Sequence, residues 1–419
     1  MDPRINPFSP GAGSPPPELA GRSPILDHAA ISLDRLRNGL HARSMILVGL
    51  RGVGKTVVLN RIHMLAQEAG YHAAFIEANE RKTLAQLLLP ALRQILYTLN
   101  LRENVSDKTR RALRVLRSFI GSLGLKAKAG LGDLELELAI DPETGSADSG
   151  DFEADLSELL QAVGEAAADR KRAIALCIDE VQYLHEKEFG ALIMALHRVS
   201  QRRLPLALIA AGLPQVRGLA GRSKSYAERL FEYPEIGPLR PSECEEALQI
   251  PVRNQGAAFS REALDEIIQV TQGYPYFLQQ WGYEAWNSSA GPIIELADIH
   301  RATKLSIRRL DQSFFRVRFD RLTPKEKDYL HALADMGPTA HRSGEIAARL
   351  GVKIQSVAPV RDALIRKGMI YSPIYGETAF TVPLFDEFMC RVMPPSRSLP
   401  SRPGDRSVSL PAKSLPTPG

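Results

Sequence analysis

Four short apolar runs, Met45–Val48, Ala73–Ile76, Ala173–Ile178 and Leu206–Ala210, alternate with stretches of a different period. In the clearest of these, Leu84, Leu87, Leu88 and Ala91 recur at i, i+3, i+4 and i+7, one face of a helix. Uninterrupted apolar runs predict strands buried on both faces. Strands separated by helices predict a doubly wound parallel sheet, an α/β fold covered on both sides. A last core strand is expected at Tyr233–Gly237.

Other patterns divide the chain further. From residue 123 to 140 apolar positions alternate with Gly, Lys and Glu around Gly130-Leu131-Gly132-Asp133, which predicts a β-hairpin inserted in the α/β unit. Ahead of it, Lys108, Arg110, Arg111, Arg114 and Arg117 form the polar side of a helix whose apolar side is Leu113, Leu116 and Ile120. That side reads as a solvated face more readily than as a grip on a phosphate backbone. After residue 240 the pattern is helical. From 322 on, Thr323-Pro324-Lys325-Glu326 opens a capped helix. A short helix then ends at Gly351, a second runs to Lys367-Gly368, and two strands surround Tyr375-Gly376-Glu377. Helix, tight turn, helix and hairpin resemble a winged helix-turn-helix. The expected division is therefore an α/β core over 25–240 with the insertion at about 101–150, a helical lid over 241–321 and a winged helix over 322–393. Residues 1–24 and 394–419 each hold seven of the 29 prolines and few large apolar groups, so both read as disordered tails.

The chemistry sits at strand ends. Gly49-Leu50-Arg51-Gly52-Val53-Gly54-Lys55-Thr56 follows the first strand and, with Val57, opens a helix, matching GxxxxGK[ST] in full. Such a loop curls backbone N–H groups around phosphates, and the helix dipole favours their charge. The pattern implies ATP with Mg²⁺: Lys55 bridging the β- and γ-phosphates and Thr56 a metal ligand. The third run ends in Asp179-Glu180. There the first carboxylate suits the metal and the second suits polarising the attacking water. Gln182 reads equally as a water-positioning group and as a surface glutamine.

Composition narrows the class. With 44% apolar and 24% charged residues among 419, the chain can bury a core. No apolar run reaches the ~18 residues that span a bilayer, so no membrane partner is expected. Cys177, Cys244 and Cys390 are far apart and lack metal spacing, which suits a reducing cytoplasm. A net charge of +5 mildly favours an anionic partner.

These motifs, with Ala210-Ala211-Gly212 and Gly273-Tyr274-Pro275, resemble AAA+ ATPases, most of all the origin-recognition/initiator-like branch and related archaeal-type and STAND ATPases. The resemblance implies an ATPase switch, with Pro275 beside the nucleotide and Arg229 where such proteins carry an arginine finger. Arg229 reads equally as a salt-bridge partner of Glu228 or Glu232. Two departures, an apolar end to the fourth strand and a lid turn without arginine, imply slow turnover. The resemblance also implies double-stranded DNA as a partner, with Lys353, Gln355, Arg361, Arg366 and Lys367 as candidate contacts. The other reading is a signalling or defence regulator whose winged helix binds protein and clamps the ADP state. A homo-oligomer or partner protein fits either.

Overall fold

A computed structural model describes residues 1–11, 13–100, 106–123 and 141–393. The expected hairpin, from residue 124 on, and the tail at 394–419 lie outside the described residues. The apolar runs form parallel strands β1 (Ser44–Val48), β2 (His72–Glu77), β3 (Ile174–Asp179) and β4 (Leu206–Gly212). With β5 (Phe231–Glu232), the order is β2-β3-β4-β1-β5. Each central strand feeds two cores. Met45 and Leu47 of β1 pack with Val58, Leu59 and Ile62 of the Lys55–Glu68 helix, whereas Ile46 and Val48 pack with Leu88, Leu159 and Leu192 on the other face. This two-sided burial is why the strands read as unbroken apolar runs.

The last strand departs from expectation. It pairs with the start of β1, Ser44 opposite Phe231 and Met45 opposite Glu232, and residues 233–237 continue beside β1 only through isolated contacts. Val48 donates its N–H to the Pro234 carbonyl and Ile236 donates to that of Val48. Pro234 has no N–H to offer a ladder, which ends the strand before the expected stretch.

The N-terminal segment corrects a second expectation. It is not a free tail but is fixed against the helices that follow residue 240. Phe8 is buried against Phe259, with ring centroids 6.4 Å apart, and rests on Gly282, where any Cβ would lie 2.7 Å from its ring. The Asn6 amide donates to the Tyr283 carbonyl, the Trp286 indole donates to that of Asp2, and Arg22 Nη2 donates to the carbonyls of Val53 and Gly237. Composition misled because prolines already restrict the unfolded chain, lowering the ordering cost, while one aromatic plug and directed polar contacts supply the binding.

Helices Pro241–Arg253, Arg261–Thr271, Pro275–Ser288 and Leu296–Leu310 pack beside the sheet. A π-helical turn, Asp311–Phe315, and a short helix, Arg316–Asp320, lead into the last part of the chain. There Thr323 caps the Pro324–Ala334 helix, its hydroxyl accepting from Glu326 N–H while the Glu326 carboxylate accepts from Thr323 N–H. Helices Ser343–Leu350 and Ile354–Arg366 follow, with an antiparallel sheet of His341–Arg342, Glu377–Phe380 and Ile370–Tyr371. The basic face of the Asp107–Ser122 helix is internally paired: Lys108 with Glu165, Arg111 with Glu143 and Glu165, Arg114 with Glu143. No helix among the described residues is long and apolar enough to cross a membrane.

Candidate active site

In β1 and β4, Val48 is registered with Gly212, and in β2 and β3, Glu77 with Asp179, so the motif-bearing strand ends share one edge of the sheet. That edge is where open parallel sheets bind ligands. Gly49 passes so close to the Ile236 carbonyl that a Cβ would sit 2.1 Å from its oxygen. Gly54, at φ 90°, turns the loop into the Lys55–Glu68 helix through a backbone region that side chains rarely adopt. Residues Arg51 through Val57 line a cavity of about 540 Å³, together with Pro275, Glu180 and the chain around Leu19 and Ala20. Tyr276 N–H donates to the Gly52 carbonyl at 3.2 Å, joining the first turn of the Pro275–Ser288 helix to the loop.

Inside this cavity the charges are organised. The Lys55 ammonium donates to the Leu50 carbonyl at 2.8 Å, and burial lowers its pKa to about 8, with Arg51 pushing the same way and Glu180 and Asp179 opposing. The Thr56 hydroxyl donates to Asp179 Oδ2 at 2.6 Å. Burial raises the Asp179 carboxyl above its usual range; the Thr56 hydrogen bond opposes this and neighbouring Glu180 adds to it. Glu180 has a left-handed backbone, φ 54°, a conformation costing about 1–3 kcal/mol in a non-glycine residue and frequent at functional sites.

Two groups hold the Glu180 carboxylate. Arg51 Nη1 lies 3.9 Å from Oε1, and the Gln182 amide donates to Oε2. Gln182 in turn accepts from Leu213 N–H at 3.1 Å. Its carbonyl oxygen fills the space beside Gly212, where a Cβ would lie 3.0 Å from it. The apolar end of β4 is thus complemented by Gln182 from the turn after the neighbouring strand β3.

Arg51 also reaches out of the α/β unit. Its Nη2 donates to the Tyr183 hydroxyl at 3.0 Å and its Nε to the Gly368 carbonyl at 3.2 Å. Gln215 donates to the Ile365 carbonyl at 3.3 Å beside it, so the turn after the Ile354–Arg366 helix sits on the phosphate loop's outer side.

Arg229 is exposed and stands two residues before Phe231, which pairs with the start of β1, so it lies at the sheet edge opposite the phosphate loop. It forms no ion pair with Glu228 or Glu232 among the described residues, and contact with a nucleotide would require a second copy of the chain. Two of the five expected DNA contacts are engaged internally. Arg361 donates to Thr378 Oγ1, Ser372 Oγ and the Glu377 carbonyl, bracing the hairpin. Lys367 donates to Glu326 at 2.7 Å and to the Arg321 carbonyl. Lys353, Gln355 and Arg366 are exposed.

Residues 18–209 match the family described as the AAA ATPase domain, and residues 312–389 match a domain of unknown function. A search of curated proteins gave no significant match. Among solved structures, a Walker-type ATPase of Pyrococcus abyssi is 15% identical with a TM-score of 0.55, the match covering 88% of this chain and 96% of that one. The Orc1 protein of Aeropyrum pernix, solved in complex with DNA, is 16% identical, covering 89% and 92%, with a TM-score of 0.44. Cdc6p from Pyrobaculum aerophilum is 15% identical, covering 93% and 96%, with a TM-score of 0.42. At this identity the Pyrococcus likeness is one of fold. Residues 18–209, with their strand-end loop and acidic pair, are an AAA+ P-loop ATPase domain.

Proposed function

We propose that the chain is an ATP-driven switch whose nucleotide state is read by its C-terminal part, residues 322–393. The observation that carries this reading is the position of Arg51: one side chain of the phosphate loop faces the Glu180 carboxylate and the Gly368 carbonyl together. A change of charge at the terminal phosphate acts directly on that guanidinium, and so on the turn it holds. Lys55 binds the β- and γ-phosphates, Glu180 polarises the attacking water, and the apolar end around Leu19, Ala20 and Leu278 receives the base. Thr56 and Asp179 are hard oxygen donors brought together beside the phosphate loop, a donor set that fits Mg²⁺, and these two residues would hold it there. When bound, that ion supplies neutralisation of phosphate charge. The arginine-free turn at Gly273-Tyr274-Pro275 and the apolar end of β4 favour slow turnover, as a switch needs.

The output in this reading is duplex DNA, met by a winged helix over 322–393. Support comes from the element order and from exposed Lys353, Gln355 and Arg366 on or beside the Ile354–Arg366 helix. Fluorescence anisotropy with duplex DNA over a range of salt tests it. Replacing Lys353 and Arg366 together by Ala should flatten the slope of log K against log salt by about two units, at ~0.9 per phosphate contact. Replacing internally paired Arg361 should weaken binding only through loss of hairpin stability. ATP and ADP should give different affinities, since a switch needs differential binding. Absence of binding at low salt in both nucleotide states would remove DNA as the partner.

A further inference from the structure

One wall of the cavity beside the phosphate loop belongs to the Pro275–Ser288 helix, where Pro275, Leu278 and Gln279 share a face at i, i+3 and i+4 and all line the cavity. Tyr276, in the first turn, donates its N–H to the Gly52 carbonyl. Gln279 stands three residues further on, about 4.5 Å along the helix axis at ~1.5 Å per residue. It thus lies one turn away from the phosphate loop, beside Leu278, where Leu19, Ala20, Leu239 and Ala247 make the lining apolar.

Gln279 is polar and yet only 8% exposed. One half of its amide is fixed. Oε1 accepts from Ser9 N–H at 3.2 Å, in the N-terminal segment that Phe8 anchors on Gly282. A backbone N–H can bond only to the oxygen of an amide, so this contact also settles which way round the group lies. Nε2, with two N–H groups to give, has no hydrogen-bond partner among the described residues. A buried donor left unpaired is costly, and a ligand that brings an acceptor to it recovers that cost. The ionisable side chains of the cavity do not meet this need. Arg22 donates to the Val53 and Gly237 carbonyls, and Arg318 donates to the Phe314 carbonyl while lying over that ring. Arg51, Lys55 and Glu180 are grouped at the phosphate loop. Glu18, partly exposed beside Leu19, has no hydrogen bond to Gln279. Adenine fits what remains. Its ring nitrogens are acceptors, its flat faces suit the apolar lining, and such pockets orient a ligand with a few placed polar groups.

We propose that the Gln279 amide donates a hydrogen bond to a ring nitrogen of adenine, and that the N-terminal segment, through Ser9 N–H, holds that amide in the orientation that reads the base. This inference rests on the ATP reading of the cavity. Gln279 is a specificity residue: it meets the base, one helical turn from the phosphate loop where Lys55 and Glu180 act. It also gives residues 1–17, which precede the matched ATPase region, a part in nucleotide recognition.

The test is titration calorimetry on full chains, the parent, Gln279→Glu, Gln279→Leu and Lys55→Ala. Each is titrated with ATP and with its N1-, N3- and N7-deaza analogues, in which one ring nitrogen becomes C–H. A net hydrogen bond between neutral groups corresponds to about two- to tenfold in affinity. The parent should bind one of the three analogues more weakly than ATP by about that factor. Gln279→Glu keeps the shape and the acceptor for Ser9 N–H but has no N–H to give, so in this variant the analogue's disadvantage should vanish. A merely structural role for Gln279 would leave that disadvantage in place. Equal binding of ATP and all three analogues by the parent would overturn the inference, and so would a disadvantage that survives in Gln279→Glu. Should Gln279→Glu not fold, Gln279→Leu decides in the same way, since it too lacks the donor. Undiminished ATP binding by Lys55→Ala would instead refute the ATP reading itself, whatever Gln279 does.

Discussion

A Glu180→Gln chain should bind ATP with near-parent affinity and release phosphate at least about a hundredfold more slowly, the usual scale for loss of a general base. The geometry gives the reason. The carboxylate sits at the end of β3 beside the phosphate loop, and Gln182 and Arg51 aim it from two sides. Glutamine keeps the shape, the left-handed backbone and most hydrogen-bonding capacity, but it cannot take a proton from water. Asp179→Asn should behave differently. It removes the anion beside Thr56 and should weaken nucleotide binding in its Mg²⁺-dependent part. Single-turnover phosphate release, measured beside equilibrium nucleotide binding, separates the two. Parent-rate turnover by Glu180→Gln would mean that another group activates the water.

Lys55→Ala should abolish stabilisation by ATP. At 100 times Kd, ligand binding stabilises the parent by about 2.7 kcal/mol; the variant should show no ATP-dependent shift in its unfolding midpoint. The same residue predicts a pH dependence. Its folded pKa is lowered from 10.5 to about 8 by burial, so between these values the unfolded chain holds a proton that the folded chain does not. Stability from this group therefore rises with pH across that window, by up to about 1.4 kcal/mol per unit. ATP affinity runs the other way. Phosphates need the ammonium form, so affinity should fall above pH of about 8, by at most about tenfold per unit. Lys55→Ala should lack both trends. Urea unfolding from pH 7 to 10, with and without ATP, reads them together; an affinity that stays flat to pH 9.5 would place the ammonium away from the phosphates.

The sheet and its loop were legible in the sequence because their signals are local. Met45–Val48 and Ala173–Ile178 are apolar at every position since both faces are covered, and the glycines of residues 49–54 answer to backbone requirements that no other residue meets. The capped helix at Thr323 was legible for the same reason. The N-terminal segment was not: its anchors, Phe8 on Gly282 and Arg22 on the Val53 carbonyl, join positions far apart in the chain. Composition alone cannot report such pairing. Arg361 and Lys367 illustrate the opposite error. A basic residue on a helix expected to face DNA looks available until its neighbours are known, and Thr378 and Glu326 are those neighbours. Gln182, just after the acidic pair, was legible only as a water-positioning group or a surface glutamine. Its place becomes clear only from its partners, the Glu180 carboxylate and the Leu213 N–H.

Hydrogen exchange at residues 365–371 tests the switch most directly, in full-length Glu180→Gln protein saturated with ATP and again with ADP. Arg51 holds the Gly368 carbonyl and stands beside Glu180, so the account predicts exchange at these amides that differs between the two nucleotides. It also predicts that Arg51→Ala, added to the same protein, removes the difference. Identical protection of 365–371 with ATP and ADP, in a protein that binds both, would contradict the claim that nucleotide state reaches the C-terminal part.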